Sequence, residues 1–450
     1  MTKLMMTTSG TRGVVGENLD PILTCKIAMA FGTYSVADKP IIVGGDTRTS
    51  HDMYKRSVIA GLQSVGRDVI DIGMVPTPTV QQMIRKHGAA GGVVVTASHN
   101  PIIWNGIKLM NETGSFLDDT QHNKFMDILN NETFDLKPWN LIGTLTEDTD
   151  AIEDHIDLIL SKVDTSCLKG SGLKVLVDVN HGAGAIADPP LFKKMGIDVT
   201  YLYGEPDGKF SHTPEPNKAN LSALIEEMKT CKYDIGFSQD PDADRLVIVG
   251  NNGDFIGEDV SLAFCIDYIL EKENKTGQDV VVNLSTSKII EWVANKHGAT
   301  THYSKIGETN VTQKIKELGA IVGGEGNGGV MYPKIGWGRD SLTGIVVALC
   351  RLAETKKTVE QIVSTYPKFH MLREKIQVKS REQIQSVLDK VKSTYSREKV
   401  CTQDGVKVYL DNGWIQVRAS NTEPIVRIFI EAGSTQQANA WFEDVKLAIS

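Results

Sequence analysis

The stretch VVVTASHNPIIWNGIKLM, Val93–Met110, decides how the rest of the chain is interpreted. Three consecutive valines are typical of a buried strand, and Ser98, His99 and Asn100 follow where that strand should end. Lys108 comes ten residues after the serine. Ligands of open α/β sheets bind beyond the carboxyl ends of the strands, so this serine lies at a place where chemistry is usual.

Two other segments repeat the same order of amphipathic helix, short strand and polar loop. In the second, a helical stripe from Leu221 to Met228 precedes the strand YDIGFS and the loop QDPDADR. In the third, Val311, Ile315 and Leu318 precede GAIVG and the loop GEGNGG. Plain surface loops rarely concentrate such side chains, so we predict an α/β fold with three functional loops at comparable sheet edges.

The last part of the chain has a different pattern. KVYLDNGWIQVRAS predicts two strands around Asp411–Gly413, because Asn-Gly is a strong hairpin signal. TEPIVRIFIEAG adds a further strand before a final helix that begins near Gln436. We therefore predict a C-terminal α+β domain with antiparallel pairing.

The composition is that of a folded protein of several domains. The chain has 450 residues and a mass of 49.3 kDa, which favours about two to four domains. Hydrophobic residues make up 41% and charged residues 23%, and no apolar run is long enough for a membrane span. The predicted domains are residues 1–148, 149–253, 254–368 and 369–450.

The cysteines and the N-terminus indicate a reducing cytoplasm. The six cysteines lie far apart, with no CxxC pair and no histidine pair at zinc spacing, which argues against disulfides and a structural metal. The first residues lack the apolar segment of a secretory signal. The formal net charge of -8 repels polyanions, so neither nucleic acid nor a membrane is expected as a partner.

The loop DPDADR places Asp240, Asp242 and Asp244 at alternate positions, so that all three carboxylates can face one point. Close carboxylates repel unless a cation lies among them, and hard oxygen ligands suit Mg²⁺. A calcium-binding EF-hand is excluded, because Arg245 stands where glycine is required and Asn251 where a bidentate glutamate is expected. A solvated acidic turn is the remaining alternative.

Two glycine-rich segments allow a rival interpretation, an NAD-dependent oxidoreductase. GEGNGG satisfies G-x-G-x-x-G, and HGAGAIA satisfies its relaxed form with Glu205 about 20 residues further on. The first carries Glu325 inside the loop, where a carboxylate would repel a pyrophosphate, and neither accounts for the three aspartates. HGAGA is more simply a tight strand-to-helix connection whose glycines serve packing.

Five motifs together resemble the α-D-phosphohexomutase superfamily. In the order in which that family has them, they are TTSGTRG (7–13), TASHNP (96–101), DPDADR (240–245), GEGNGG (324–329) and RASNTEP (418–424). The resemblance implies four domains around a central cleft, three related α/β domains and a C-terminal α+β domain. The forms GEGNGG and RASNTEP look most like those of archaeal-type phosphoglucosamine mutases, with Asn327 and Asn421 where commoner forms have Ser and Gly.

The resemblance implies a mutase that interconverts hexose 6-phosphate and hexose 1-phosphate. Ser98 would carry a phosphoryl group, and a hexose 1,6-bisphosphate would be both intermediate and activator. One Mg²⁺ per chain would bind Asp240, Asp242, Asp244 and a phosphoserine oxygen of Ser98. Glucosamine phosphate is the expected substrate, with glucose or mannose phosphate as the alternative. A catalytically silent sugar-phosphate binder is a further alternative, which the retained serine and aspartates do not favour.

The resemblance also assigns roles to other positions. Arg12, Lys108 and Arg245 would supply positive charge at the transferred phosphate, beside His99. Lys108 would act either as general acid or base or as a plain phosphate contact. The residues expected to bind the sugar and its other phosphate are Lys305, Gly307, Glu325, Asn327, Arg418, Ser420, Asn421, Thr422 and Arg427. The expected partner is a small-molecule sugar phosphate, bound by a monomer or a homodimer.

Overall fold

The computed structural model describes residues 4–35, 38–275, 277–378, 381–419 and 425–449. Three α/β units are followed by one antiparallel α+β unit, so the predicted fold class is confirmed. The boundaries proposed between the four domains stay predictions. None of the described helices combines the length and apolarity needed to cross a membrane. All six cysteines are free.

The first unit contains one mixed sheet of seven strands, flanked by helices. Its strands are β1 (Met5–Thr7), β2 (Gly10–Val14), β3 (Ile41–Gly45), β4 (Val69–Met74), β5 (Gly91–Val95), β6 (Trp104–Asn111) and β7 (Leu145–Glu147). Its helices are α1 (Pro21–Tyr34), α2 (His51–Ser64), α3 (Thr77–Lys86) and α4 (Asp119–Asn131). The strand order is β1-β2-β6-β5-β3-β4-β7. Every residue of β5 is buried because helices cover both sheet faces, which is why this strand tolerates an unbroken apolar run.

The second unit contains a four-stranded sheet in the order β11-β10-β8-β9. Its strands are β8 (Lys174–Asp178), β9 (Asp198–Leu202), β10 (Ile235–Gln239) and β11 (Leu246–Gly250). Its helices are α5 (Ala151–Lys162), α6 (Gly184–Met195) and α7 (Ser222–Met228), with a single 3₁₀ turn at Ser166–Leu168.

The third unit has a second four-stranded sheet, in the order β13-β12-β14-β15. Its strands are β12 (Asp279–Asn283), β13 (Thr300–Ser304), β14 (Val322–Glu325) and β15 (Gly329–Met331). Its helices are α8 (Glu258–Glu273), α9 (Ile289–Lys296), α10 (Glu308–Leu318), α11 (Ser341–Thr355) and α12 (Val359–Val363). Leu318 was predicted to lie on the buried stripe of α10, but it is 38% exposed. It is the last residue of this helix, directly before the capping residue Gly319.

The C-terminal unit is an antiparallel sheet in the order β16-β20-β19-β18-β17, with two helices. Its strands are β16 (His370–Gln377), β17 (Lys399–Cys401), β18 (Val406–Leu410), β19 (Gly413–Ala419) and β20 (Ile425–Ala432). Its helices are α13 (Arg381–Thr394) and α14 (Thr435–Ile449). The hairpin predicted around Asp411–Gly413 joins β18 to β19, and Asn412 has a positive φ of 61° in the turn.

The three repeated units share one detail that positions the polar loops. In each unit a parallel pair of strands ends at the loop, and the chain then returns as an antiparallel strand instead of continuing into a helix. The hairpins are β5–β6, β10–β11 and β14–β15. The loops therefore lie at hairpin tips, at the carboxyl ends of β5, β10 and β14.

The second and third units share one hydrophobic core, whereas the other units have their own. Buried positions run almost unbroken through α8 and α11, as in helices that are covered all round. Phe237 of β10 and Phe264 of α8 belong to the same apolar cluster. This shared core fixes the tip of β10–β11 relative to the tip of β14–β15.

Candidate active site

The loop after β5 places Ser98 in a conformation that is unusual for a serine. Its φ is +51°, in the left-handed region that costs a residue with a Cβ roughly 1–2 kcal/mol. Its backbone N–H donates to Oγ1 of Thr96 at 2.8 Å. The Ser98 hydroxyl, buried at 1% exposure, donates to Oδ2 of Asp240 at 2.9 Å. The first and second hairpin tips therefore meet at this serine.

The three aspartates of the second tip converge, as the sequence predicted. Asp240, Asp242 and Asp244 are fully buried, and one carboxylate oxygen from each lies within 4.8 Å of the others. Asp240 accepts the backbone N–H of Asp244 at 3.2 Å and that of Arg245 at 3.1 Å. Burial and the charges of Asp244 and Asp242 raise the pKa of Asp240 well above its ordinary value.

Two cations partly neutralise this acidic cluster. Nζ of Lys108 donates to Asp242 at 2.6 Å and lies 3.4 Å from Oδ2 of Asp244. Burial lowers the pKa of Lys108, but Asp242 and Asp244 outweigh it, so the pKa ends above its ordinary value. Nη2 of Arg339 donates to Asp244 at 2.7 Å. Lys108 belongs to β6, and from this strand its side chain extends to the aspartates of the second tip.

The donor set fits a divalent cation. Oδ1 of Asp242 and Oδ1 of Asp244 are buried and accept no hydrogen bond from any described residue. Buried carboxylate oxygens without a partner are costly, and hard oxygen ligands suit Mg²⁺ and similar ions. The cluster Asp240, Asp242 and Asp244 could therefore hold a metal ion, with the Ser98 hydroxyl beside it.

His99 lies between two guanidinium groups. Nη2 of Arg245 donates to Nδ1 of His99 at 2.9 Å, so this nitrogen carries no proton, and it lies 3.3 Å from Oγ of Ser98. Burial, Arg245 and Arg12 lower the pKa of His99 well below its ordinary value, so the imidazole is neutral. Arg12 donates to Oδ1 of Asn100 at 3.0 Å, which ties β2 to the serine loop.

The third tip carries a carboxylate that several donors orient. Glu325 accepts from Nδ2 of Asn283 at 2.9 Å and from the backbone N–H of Gly307 at 3.1 Å, and it lies 3.3 Å from Nη1 of Arg339. Oδ1 of Asn327 is buried with no hydrogen-bond partner in the described part of the chain. The side chains of Glu325 and Asn327 can therefore accept further hydrogen bonds from a molecule bound in the cleft.

Two arginines of the C-terminal sheet face each other. Arg418 of β19 and Arg427 of β20 are directly opposite in the strand register, and like charges in that position repel. Asp404 accepts from Nε of Arg418 at 3.1 Å and from the backbone N–H of Ile306 at 2.9 Å, which places Arg418 against the third unit. An anion between the two arginines would relieve the repulsion.

All four units contribute side chains to one cavity of about 390 Å³. The predicted site residues that line it are Arg12, His99, Lys108, Arg245, Gly307, Glu325, Asn327, Arg418 and Arg427. Ser98 and the aspartates are buried next to it. Lys305 is exposed and does not line it, so its role stays a prediction, and Ser420, Asn421 and Thr422 lie outside the described residues.

Sequence reasoning missed two residues that connect the second and third tips. Arg339 donates from Nε to Glu308 at 2.9 Å and from Nη2 to Asp244, and both Arg339 and Glu308 line the cavity. Glu308 stands in KIGETN, directly after the predicted Gly307. Arg339 follows β15 within GWGRD, a stretch with no periodic or motif signal, so only the fold brings it to the site.

The glycine-rich segments do not form a dinucleotide site. GEGNGG is the tip of the antiparallel hairpin β14–β15, where such a site requires a strand followed by a helix. HGAGA does join β8 to α6, but a Cβ on Gly184 would lie 2.1 Å from Oε1 of Gln239 and one on Gly182 2.7 Å from Cα of Pro241. The loop that carries the aspartates, with the end of β10 before it, therefore occupies the space beside these glycines, which serve packing.

Models of all four domains of one family match the chain in order. The phosphoglucomutase/phosphomannomutase alpha/beta/alpha domain I matches residues 3–136, domain II matches 153–253, domain III matches 257–369 and the C-terminal domain matches 371–448.

Similar proteins match over nearly their whole length. A phosphoglucomutase/phosphomannomutase of Thermococcus kodakarensis is 37% identical over 443 residues, which cover 97% of this chain and 96% of the relative. A phosphoglucosamine/phosphogalactosamine mutase of Sulfurisphaera tokodaii is 33% identical, with coverage of 98% and 97%. The crystal structure of a phosphoglucomutase/phosphomannomutase family protein from Burkholderia thailandensis superposes with a TM-score of 0.86 at 25% identity, covering 99% and 98% of the chains.

The aspartate cluster makes a prediction about cation binding. Titration of the protein with Mg²⁺ in a calorimeter should show one site per chain, and Asp242→Asn should weaken that site at least tenfold because it removes a charged ligand. Asp188→Asn is the matched control, since burial raises the pKa of this fully buried aspartate to about 8 and an amide changes its charge little. Equal Mg²⁺ affinity of wild type and Asp242→Asn would contradict the site.

Proposed function

The chain belongs to the phosphoglucomutase/phosphomannomutase family and is a phosphohexomutase; on that premise we propose that Ser98 carries its phosphoryl group and that glucosamine phosphate is its sugar. One observation carries the assignment of Ser98. Its hydroxyl donates to Asp240, one of three converging aspartates, beside a cleft that Arg418 and Arg427 also line. A serine phosphoester suits this role, because it persists while an acyl phosphate hydrolyses readily.

The transfer begins with phosphorylated Ser98 and a sugar hydroxyl. The bond between Oγ and phosphorus breaks, a bond from the sugar oxygen to phosphorus forms, and the proton of the sugar hydroxyl ends on Oγ. The resulting serine is the one described above, whose hydroxyl donates to Asp240. The product is a hexose 1,6-bisphosphate, which turns within the cleft and returns its other phosphate to Ser98.

Positive charge at the transferred group comes from this chain. Arg12, Lys108 and Arg245 line the cleft beside the serine loop, and fixed cations stabilise the charge that spreads over a phosphoryl group in transfer. We assign Lys108 an electrostatic contact, since its ammonium group is already shared by Asp242 and Asp244. Neutral His99 is proposed to contact the transferred group as well, and Arg245 fixes the orientation of its imidazole ring by donating to Nδ1.

Mg²⁺ is the cofactor that the donor set favours. Asp240, Asp242, Asp244 and a phosphoserine oxygen of Ser98 would hold it, and it would neutralise charge on the transferred phosphoryl group. Oδ1 of Asp242 and Oδ1 of Asp244, which have no hydrogen-bond partner among the described residues, are free to serve as its ligands.

The phosphate that is not transferred belongs at the opposite end of the cleft. Arg418 and Arg427 supply two guanidinium groups, each able to bind a phosphate with two parallel hydrogen bonds. A dianion between them would offset the repulsion of two like charges across neighbouring strands. Ser420, Asn421 and Thr422 follow Arg418 in sequence and are proposed to complete this phosphate site.

The sugar itself is proposed to bind the third tip. Glu325 can accept from two neighbouring hydroxyls at once, which suits a bisphosphate that binds in two orientations. Asn327 offers a buried acceptor without a partner among the described residues. Gly307 and Lys305 lie in the neighbouring loop, and Gly307 fixes Glu325 through its backbone N–H.

Two lines of support favour glucosamine phosphate. The first is the resemblance of the third-tip and phosphate-loop motifs to phosphoglucosamine mutases. The second is the name of the Sulfurisphaera relative. The name of the Thermococcus relative favours glucose or mannose phosphate as the second candidate.

Replacing Ser98 tests the phosphoryl carrier. Ser98→Ala should abolish conversion of glucosamine 6-phosphate to the 1-phosphate, measured with a hexose 1,6-bisphosphate as primer, because it removes the hydroxyl that is proposed to carry the phosphate. The matched control is Ser261→Ala, which removes another serine hydroxyl that is buried at 1% exposure but lies in α8. Full activity of Ser98→Ala would exclude the mechanism.

A competition between sugars tests the substrate. With glucosamine, glucose and mannose 6-phosphates assayed in parallel, kcat/KM should be highest for glucosamine 6-phosphate. A higher kcat/KM for either neutral sugar would reject glucosamine while leaving the mutase reaction intact.

A further inference from the structure

Arg48 is a buried arginine, and all of its side-chain N–H groups donate hydrogen bonds to the serine loop or to a residue that supports this loop. It follows β3 and is 1% exposed. Nη2 donates to the carbonyls of Ser98 and Asn100, both at 2.7 Å, and Nη1 donates to those of Pro101 and Trp104, both at 2.9 Å. Nε donates the fifth hydrogen bond, at 3.2 Å, to Oδ2 of Asp46.

The four carbonyls span the connection between β5 and β6, in which Ser98 lies. Carbonyl oxygens that point at one centre repel each other, so this loop conformation needs a cation at that centre. Only a guanidinium group offers five donors in a fixed plane, whereas the ammonium of lysine has three. Arg48 therefore matches the loop in charge and in number of donors.

Asp46 connects Arg48 to the start of the same loop. Its Oδ1 accepts the backbone N–H of Arg48 at 3.0 Å, and its Oδ2 accepts Oγ1 of Thr96 at 2.5 Å. Thr96 in turn accepts the backbone N–H of Ser98 at 2.8 Å. The ion pair of Asp46 and Arg48 thus fixes the backbone N–H of Ser98, through Thr96, and also the backbone carbonyl of Ser98.

The second unit closes over this arrangement. The ring of Phe210 lies over the guanidinium of Arg48 at 4.9 Å, and Oγ1 of Thr47 donates to the carbonyl of His181 at 2.6 Å. The serine loop is therefore fixed by Arg48 against the unit that carries Asp240. Sequence analysis missed Arg48, although DTRTS follows the strand IIVGG as the other polar loops follow theirs.

We propose that Arg48 is a positioning residue for phosphoryl transfer, which keeps Ser98 in its left-handed conformation with Oγ directed at Asp240. Arg48 contacts neither substrate nor metal in this role and acts through the backbone of the serine loop. The proposal rests on the proposed function of Ser98 as the phosphoryl carrier. A misplacement of about 1 Å can cost roughly 100-fold in rate, so loss of this arginine should be seen in kcat.

The test compares two buried arginines. Arg48→Lys keeps the charge but leaves carbonyls without donors, and it should lower kcat about 100-fold with KM for glucosamine 6-phosphate within twofold of wild type. Arg351→Lys is the matched control, because Arg351 is 4% exposed, pairs with Asp267, donates to the carbonyl of Phe264 at 2.6 Å and lies over a phenylalanine ring. It should lose thermal stability without a comparable loss of kcat.

A second readout separates positioning from stability. The rate at which a hexose 1,6-bisphosphate phosphorylates Ser98, followed by intact-protein mass in quenched samples, should fall with kcat in Arg48→Lys and stay near wild type in Arg351→Lys. Asp46→Asn keeps Arg48 and should show the same slowing to a smaller degree, which carries the test if Arg48→Lys does not fold.

The outcomes are separable from those of the proposed function. If wild type itself neither takes up phosphate at Ser98 nor isomerises a hexose phosphate, the proposed function fails. If wild type does both, a kcat for Arg48→Lys within twofold of wild type overturns the positioning role. Equal losses of kcat in Arg48→Lys and Arg351→Lys would also overturn the positioning role. If Arg48→Lys does not fold, a wild-type rate of Ser98 phosphorylation in Asp46→Asn would overturn it.

Discussion

Three carboxylates buried side by side are the constraint on which this structure depends. Two like charges about 4 Å apart repel by about 4 kcal/mol at an effective dielectric of about 20, which is more than single hydrogen bonds offset. Asp240, Asp242 and Asp244 remain together because Lys108 arrives from the first unit and Arg339 from the third. The domains must therefore assemble around this cluster, and the carboxylate oxygens that have no hydrogen-bond partner among the described residues are the basis for a metal site.

The repeated hairpin explains how one cleft collects three kinds of chemistry. Each α/β unit ends a parallel strand, forms a polar tip and returns antiparallel, so each tip projects beyond its sheet. The first tip presents a serine, the second carboxylates and the third a carboxylate that hydrogen-bond donors orient. The C-terminal sheet adds two opposed arginines.

The sequence predicted whatever is local or belongs to a motif. The strands before Ser98, Asp240 and Glu325 follow from apolar runs, and the 411–413 turn follows from Asn-Gly. The antiparallel return after each tip was not predicted, because short apolar strands do not encode pairing direction. Arg48 and Arg339 were missed for a physical reason as well: an isolated arginine gives no periodic signal, and each has an acceptor at the site that lies far away in sequence, 50 residues from Arg48 and 95 residues from Arg339.

Phosphopeptide mapping of the unmutated protein tests the central claim most directly. After incubation with a hexose 1,6-bisphosphate and Mg²⁺, the peptide that contains Ser98 should carry one phosphoryl group. Excess hexose 6-phosphate added to the isolated phosphoprotein should remove that group and yield the bisphosphate. A phosphoryl group on any other residue, or one on Ser98 that the sugar phosphate does not remove, would contradict the account.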